Sequence, residues 1–427
     1  MNDRPRQSAA RRSLNVVTSQ TAKNTANRRH KPDYWIFVLS AMLLTIGLVV
    51  VYSISPGLAA SQHISQSYFI TKHLIDVLLA LVTFGVAALI PLRNWSRLSK
   101  ILAGAAILGS LIVIMSPVDA VYQAHRWIRF GGFSFQIAEL IKFALIIWLA
   151  QFLTQKWQEG RLADFKRVLR PLLIVLIVLG VVVAKFQSDL GSAGVMIAIM
   201  GAMAFTVGIP LKRIAIISGL VLILGVFAIS TSNYRRERLF TFLHPGSNCQ
   251  STSYQACQAL ISVGSGGLFG QGLGYGVQAY GYQPEPANDS IFAIMAEKFG
   301  FLGSSLIIII YAVFITRLKR VIEHTPDQFS RLLVVGILAW ISTQMIINVG
   351  AMVGLLPLKG ITLPLISQGG TSLVFLTAAL GLVFQISRYT SYSVTEPTAK
   401  EYEKNYSFDR RRHGGAYNPD FVSRPRT

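Results

Sequence analysis

Ten apolar stretches run through this 427-residue chain, and nothing else in it restricts the fold as strongly. A bilayer core roughly 30 Å thick takes about 20 residues of helix at about 1.5 Å per residue. The stretches are 34–54, 68–91, 101–118, 137–154, 171–186, 193–209, 214–231, 291–315, 332–353 and 371–388. Lipid offers backbone amides and carbonyls no partner, so each is expected to be a helix. The expected fold class is an all-α polytopic membrane protein with ten spans.

Basic residues orient the zigzag. With the N-terminus in the cytoplasm, the inside tails and loops carry 30 Lys and Arg. The outside loops carry six: Arg126, Arg129, Arg235, Arg236, Arg238 and Lys359. The positive-inside rule therefore places both termini in the cytoplasm. The net charge of +21 sits on segments facing anionic headgroups, and no nucleic-acid fold signature accompanies it, so nucleic acid is excluded as a partner.

Residues 1–33 are rich in Arg, Ser, Thr and Asn and have no apolar face, which reads as a disordered cytoplasmic arm rather than a transit peptide. The tail 389–427, with Arg410, Arg411 and Arg412, reads the same way. Between them lies the membrane domain, 34–388, and its one long outside loop, 232–290. A loop of that length is functional or disordered, and its content favours function. It holds both cysteines of the chain, Cys249 and Cys257, eight positions apart on the oxidising face; a disulfide and two free thiols both remain open. It also holds the glycine-rich run SVGSGGLFGQGLGYGVQ. A phosphate-binding loop would need a strand before it and a helix after it, so close backbone packing or a protein-covered re-entrant segment is the better account.

The stretch YQACQALISVGSGGLFGQGLGYGVQAYGYQPEPANDSIFAIMAEKFGFLG, Tyr254 to Gly303, resembles the central signature of the SEDS family of cell-wall glycosyltransferases. Three more segments match in family order: RWIRFGGFSFQIAELIK from Arg126, QSDLGSAG from Gln187 and GLLPLKGITLPLISQGGTS from Gly354. Lys359 in its segment and the long basic arm make the chain more similar to division members than to elongation members. Several positions depart from the usual pattern: Ala287 and Asn288 replace His-Thr, Ile137 and Ser188 replace prolines, Gln368 stands where tyrosine is frequent, and Lys298 where an acid is.

The resemblance implies polymerisation of lipid II on the outer face, with release of undecaprenyl pyrophosphate and inversion at the anomeric carbon. That step needs a base for the acceptor hydroxyl and cations for the departing pyrophosphate. Asp289 matches the family's loop acid and is the expected base; taken without the resemblance, an Asp ahead of an apolar run reads as a helix N-cap. Arg126, Lys359 and the cluster Arg235, Arg236 and Arg238 are the candidate cations. Their bland alternative is interfacial anchoring, or pairing with Glu237 and Glu285. Glu285 and Trp127 join the expected substrate site, Trp127 with a membrane-interface anchor as its alternative.

A second constellation is buried charge. Glu139 and Lys142 are spaced i, i+3, and Lys185 and Asp189 i, i+4, which predicts two ion pairs that either line a cavity or pin helices. Glu297 and Lys298 are adjacent, so they point apart and are expected to find partners on other helices. No cofactor is demanded: no His, Cys or clustered-carboxylate spacing asks for a metal, although a divalent cation could assist pyrophosphate departure. Implied partners are lipid II, the lipid-linked glycan strand, a class B penicillin-binding transpeptidase and other division proteins. A lipid-linked sugar flippase and a non-catalytic scaffold are the competing functions; the inverted repeats that would favour transport are not visible.

Overall fold

The computed structural model describes residues 31–115, 126–130, 133–162, 164–231, 233–246, 249–251 and 253–390. The expected basic arm and tail fall almost wholly outside them. In chain order the helices are α1 (Tyr34–Gln62), α2 (Gln66–Leu89), α3 (Leu92–Met115), α4 (Ile137–Gln158), α5 (Phe165–Phe186), α6 (Leu190–Val207), α7 (Leu211–Ser230), α8 (Asn233–Leu243), α9 (Tyr254–Ser265), α10 (Ile291–His324), α11 (Gln328–Met352) and α12 (Gly370–Ile386). Nine of them, among the described residues, are long and apolar enough to cross a membrane. Helix α7 takes the place of the seventh expected span. Acids start several helices: the carboxylates of Asp33, Asp164, Asp189 and Asp327 each accept a backbone amide of the first turn that follows.

Burial separates a centre from a rim. The spanning parts of α4 and α12 are 78% buried, whereas those of α2 and α3 are 28% and that of α5 22%. Helix α12 packs along α2, α11 along α6, and α3 along α4. An unforeseen antiparallel hairpin precedes α4: β1 (Trp127–Phe130) pairs with β2 (Phe133–Gln136), Trp127 opposite Gln136. Alternation of apolar residues around Gly131-Gly132 in the sequence is the signal that could have found it.

The first expected ion pair forms at the centre. Lys142 donates to Glu139 at 2.7 Å and to the Gln344 side-chain oxygen at 3.2 Å, and lies 5.1 Å from the Trp340 ring centroid. Gln344 in turn donates to the Thr362 carbonyl and hydroxyl at 3.0 and 3.2 Å. This network ties α4 and α11 to the non-helical connection between α11 and α12. The second expected pair does not form. The helix widens into π turns over Gly180–Phe186 and ends there, and Ser188 adopts φ 53°, so Lys185 and Asp189 share no continuous helix face. Lys185 is exposed, and the Asp189 carboxylate instead accepts the Ser192 amide and hydroxyl at 2.9 and 2.8 Å.

Glu297 and Lys298 also depart from expectation, because their partners are backbone groups of the glycine-rich segment rather than other helices. Glu297 accepts the Val277 and Gln278 amides, and Lys298 donates to the Leu273 and Tyr275 carbonyls. Helix α10 breaks at Gly300, whose φ 66° and ψ −166° suit glycine. Around that break the amides of Gln271 and Gly272 donate to the Glu297 and Lys298 carbonyls, and those of Phe301 and Leu302 to Gly267 and Leu268. The close-packing expectation for the run is therefore met. At Gly270, φ is 80° and an added Cβ would sit 2.2 Å from the Lys298 carbonyl oxygen.

Two stability predictions follow from these contacts. Gly270→Ala is expected to lower stability by roughly 2–3 kcal/mol from strained φ alone, visible as a lower melting temperature in detergent, whereas Gly264→Ala, with open space around it, leaves melting unchanged. Lys142→Met strands the buried Glu139 carboxylate and should cost about 3–5 kcal/mol; adding Glu139→Gln should recover most of the loss in the same melt.

Candidate functional site

Asp289 ends the long loop, one residue before the N-cap of α10. That cap position belongs to Ser290, which removes the capping role that the sequence alone would assign to Asp289. The residue is half-buried, and its Oδ1 is sealed from solvent without a hydrogen-bond partner. Its backbone is fixed from both sides. Glu285, in the left-handed region at φ 48°, turns the chain so that its carbonyl accepts the Asn288 and Ser290 amides. From α11, the buried Asn348 donates to the Asp289 carbonyl at 2.7 Å and to the Ile361 carbonyl at 2.6 Å. Asp289, Asn348, Lys359, Gly360 and Ile361 line one small cavity.

Burial pushes the Asp289 carboxyl from an ordinary 3.8 up to about 7. The Glu285 carboxylate adds to the rise, while the residue's own amide, Gln255 and Arg238 oppose it. Lys359 is held below the usual lysine range, first by burial and then by Arg238 and Arg235, with Asp189 pulling the other way. These groups share a neighbourhood, and each influences the next.

The arginines reach it by gripping backbone. Arg238 on α8 donates to the Leu358 carbonyl at 3.0 Å, next to Lys359. One turn earlier, Arg235 donates to the Ala184 carbonyl at 2.7 Å. Arg126, just ahead of β1, donates to the Gln187 and Ser188 carbonyls at 2.8 and 2.5 Å. Three of the expected cations thus also fix the connections that surround the cavity. Arg236 is exposed on the outer side of α8.

The expected residues divide accordingly. Asp289, Glu285, Arg238, Arg235, Lys359 and Asp189 come together, and Arg126 holds the connection that leads into Asp189. Glu139 and Lys142 stand deeper and reach the cavity wall only through Gln344 and Thr362. Glu297 serves the glycine-rich segment, Lys185 is exposed, and Trp127 on the hairpin is 40% exposed. Cys249 and Cys257 form a disulfide, with Cα atoms 5.6 Å apart, which closes the turn leading into α9. Sequence reasoning missed Asn348 and Gln344. Their signal was present, since Trp340, Gln344 and Asn348 recur every four residues in an apolar span, and polar residues there need a reason.

With this geometry in place, likeness to known proteins is informative. The family model for cell cycle proteins of the FtsW, RodA and SpoVE group matches residues 34–392. Stage V sporulation protein E of Bacillus subtilis is 34% identical over 377 residues, covering 86% of this chain and 99% of its own length. The probable peptidoglycan glycosyltransferase FtsW of Coxiella burnetii is 36% identical over 365 residues, covering 84% and 96%. Among solved structures, a peptidoglycan synthase complex studied for its coordination of polymerization and crosslinking superposes with a TM-score of 0.65 at 23% identity, covering 84% of this chain and 98% of the other. The rod shape determining protein RodA of Thermus thermophilus gives 0.61 at 24% identity, covering 85% and 98%. The chain belongs to the FtsW, RodA and SpoVE family of cell cycle proteins.

Proposed function

We propose that this chain is a multi-pass membrane glycosyltransferase that polymerises lipid II into β-1,4 glycan strands at the outer face of the plasma membrane, for septal wall synthesis in cell division. The relatives named FtsW support the activity and the division role. The bias of basic residues supports ten spans, with α7 the seventh, both termini cytoplasmic and the segment 232–290 outside. The observation that carries the reading is a desolvated carboxyl, Asp289, on the wall of a cavity that also carries Lys359 and lies within the field of Arg238.

In this reaction Asp289 takes the proton of the acceptor sugar hydroxyl. The freed oxygen forms a bond to the anomeric carbon of the donor as the bond to the pyrophosphate oxygen breaks, and its electron pair leaves with undecaprenyl pyrophosphate. Attack from the face opposite the leaving group turns an α linkage into a β one. Raising the base towards neutrality makes it a better proton acceptor at working pH. Lys359 and Arg238 stand where developing negative charge on the leaving group is met by fixed positive charge. Arg126, Arg235 and Glu285 shape the rim, and Trp127 offers an exposed ring to the arriving lipid-linked sugar. A class B penicillin-binding transpeptidase is the partner that crosslinks the product, and the solved complex of similar fold supports that pairing.

Purified chain, with a class B partner and lipid II, should yield glycan polymer on a gel, and Asp289→Asn should yield none while expressing and binding the partner normally. Movement of lipid II across vesicles without polymer would favour a flippase instead. The base must be ionised, so kcat/KM for lipid II should rise with pH through about 7 and fall about tenfold per unit below it. Stability should run the other way. The folded carboxyl sits near 7 against 3.8 when unfolded, so its contribution is fully present below 3.8 and is lost as pH rises through about 7. Asp289→Asn should therefore melt higher than the parent at pH 8, with the difference vanishing near pH 4.

A further inference from the structure

Helix α11 presents a polar ladder to the bundle interior: Trp340, Gln344 and Asn348, each one turn from the next and at most 2% exposed. Its lower rungs are accounted for by the Glu139–Lys142 pair and Thr362. Its last rung, Asn348, spends both side-chain hydrogens on backbone carbonyls from two different segments, Asp289 at 2.7 Å and Ile361 at 2.6 Å. Both acceptors are carbonyls, so the orientation of the amide is set by chemistry. Ile361 lies two residues from Lys359, so this one side chain joins the two segments directly. Asn348 also lines the cavity that Asp289 and Lys359 share, and its Oδ1 is buried without a partner.

We propose that Asn348 is a positioning residue for the polymerisation reaction, holding the backbone of Asp289 at a fixed separation from the segment that carries Lys359. This rests on Asp289 being the base. The charges facing that carboxyl are Glu285 from its own loop, Arg238 from α8 and Lys359 from the α11–α12 connection, which lines the same cavity. Loss of the amide frees two carbonyls in a buried place, the segments separate, and the base is displaced while the rim arginines keep their grip. A displacement of about 1 Å at a reacting group costs on the order of 10²-fold in rate.

The test uses the full chain with its transpeptidase partner and lipid II. Asn348→Ala should lower kcat by about 10²-fold with KM for lipid II changed by less than about twofold, and its acidic limb should move to lower pH as the released carboxyl gains water. Asn348→Asp, nearly identical in shape, sets a like charge in the same cavity, so its acidic limb should move to higher pH. Parental kcat and an unmoved limb in both variants would overturn the proposal. So would loss of the parental melting transition in both, which would make Asn348 a folding residue. Polymer from Asp289→Asn would instead remove the base itself, whereas an inactive Asp289→Asn beside parental Asn348 variants removes the positioning role alone.

Discussion

Non-helical backbone packed against a membrane bundle needs partners from the protein itself, and among the described residues three such segments are held by polar side chains. The connection between α5 and α6 is gripped by Arg126, and the end of α5 by Arg235. The glycine-rich segment is held by Glu297 and Lys298. The connection between α11 and α12 hangs from Gln344, Asn348 and the Tyr311 hydroxyl, which donates to the Pro364 carbonyl. The first of these segments leads into Asp189 and the last carries Lys359, and Asn348 both satisfies backbone and lines the cavity beside Asp289.

That economy has an electrostatic consequence. Arginines whose donors are partly occupied by backbone carbonyls are held in place. Their charge stays directed at the cavity, where it depresses Lys359 and tempers the rise at Asp289. Glu285 works against them, so the carboxyl settles near neutrality instead of at either extreme. A group kept in that condition destabilises the fold above neutral pH, a cost that enzymes commonly bear at the reacting centre.

Much of the bundle was legible because lipid imposes a simple rule on composition. Every expected span falls on a helix, with α1, α3 and α10 running eight or nine residues further than the apolar stretches suggest. The Glu139–Lys142 pair was equally legible, since its i, i+3 spacing lies inside one unbroken helix. Lys185 and Asp189 failed for the converse reason: spacing predicts contact only while the helix continues, and the chain unwinds between them. Glu297 and Lys298 were recognised as buried charges, but their partners are backbone atoms some twenty residues away in sequence, which side-chain periodicity cannot report.

What the sequence determined by itself was the membrane character of the chain and the bias of basic residues across it, because apolar run length and charge placement are local properties of the chain. What only the tertiary structure decided was which of those groups meet. Asp289 is freed from capping by Ser290, desolvated, and set against Lys359 by an asparagine on a helix that begins far along the chain. Burial and the distance between segments are products of packing, and they decide that this carboxylate lines a cavity rather than capping a helix.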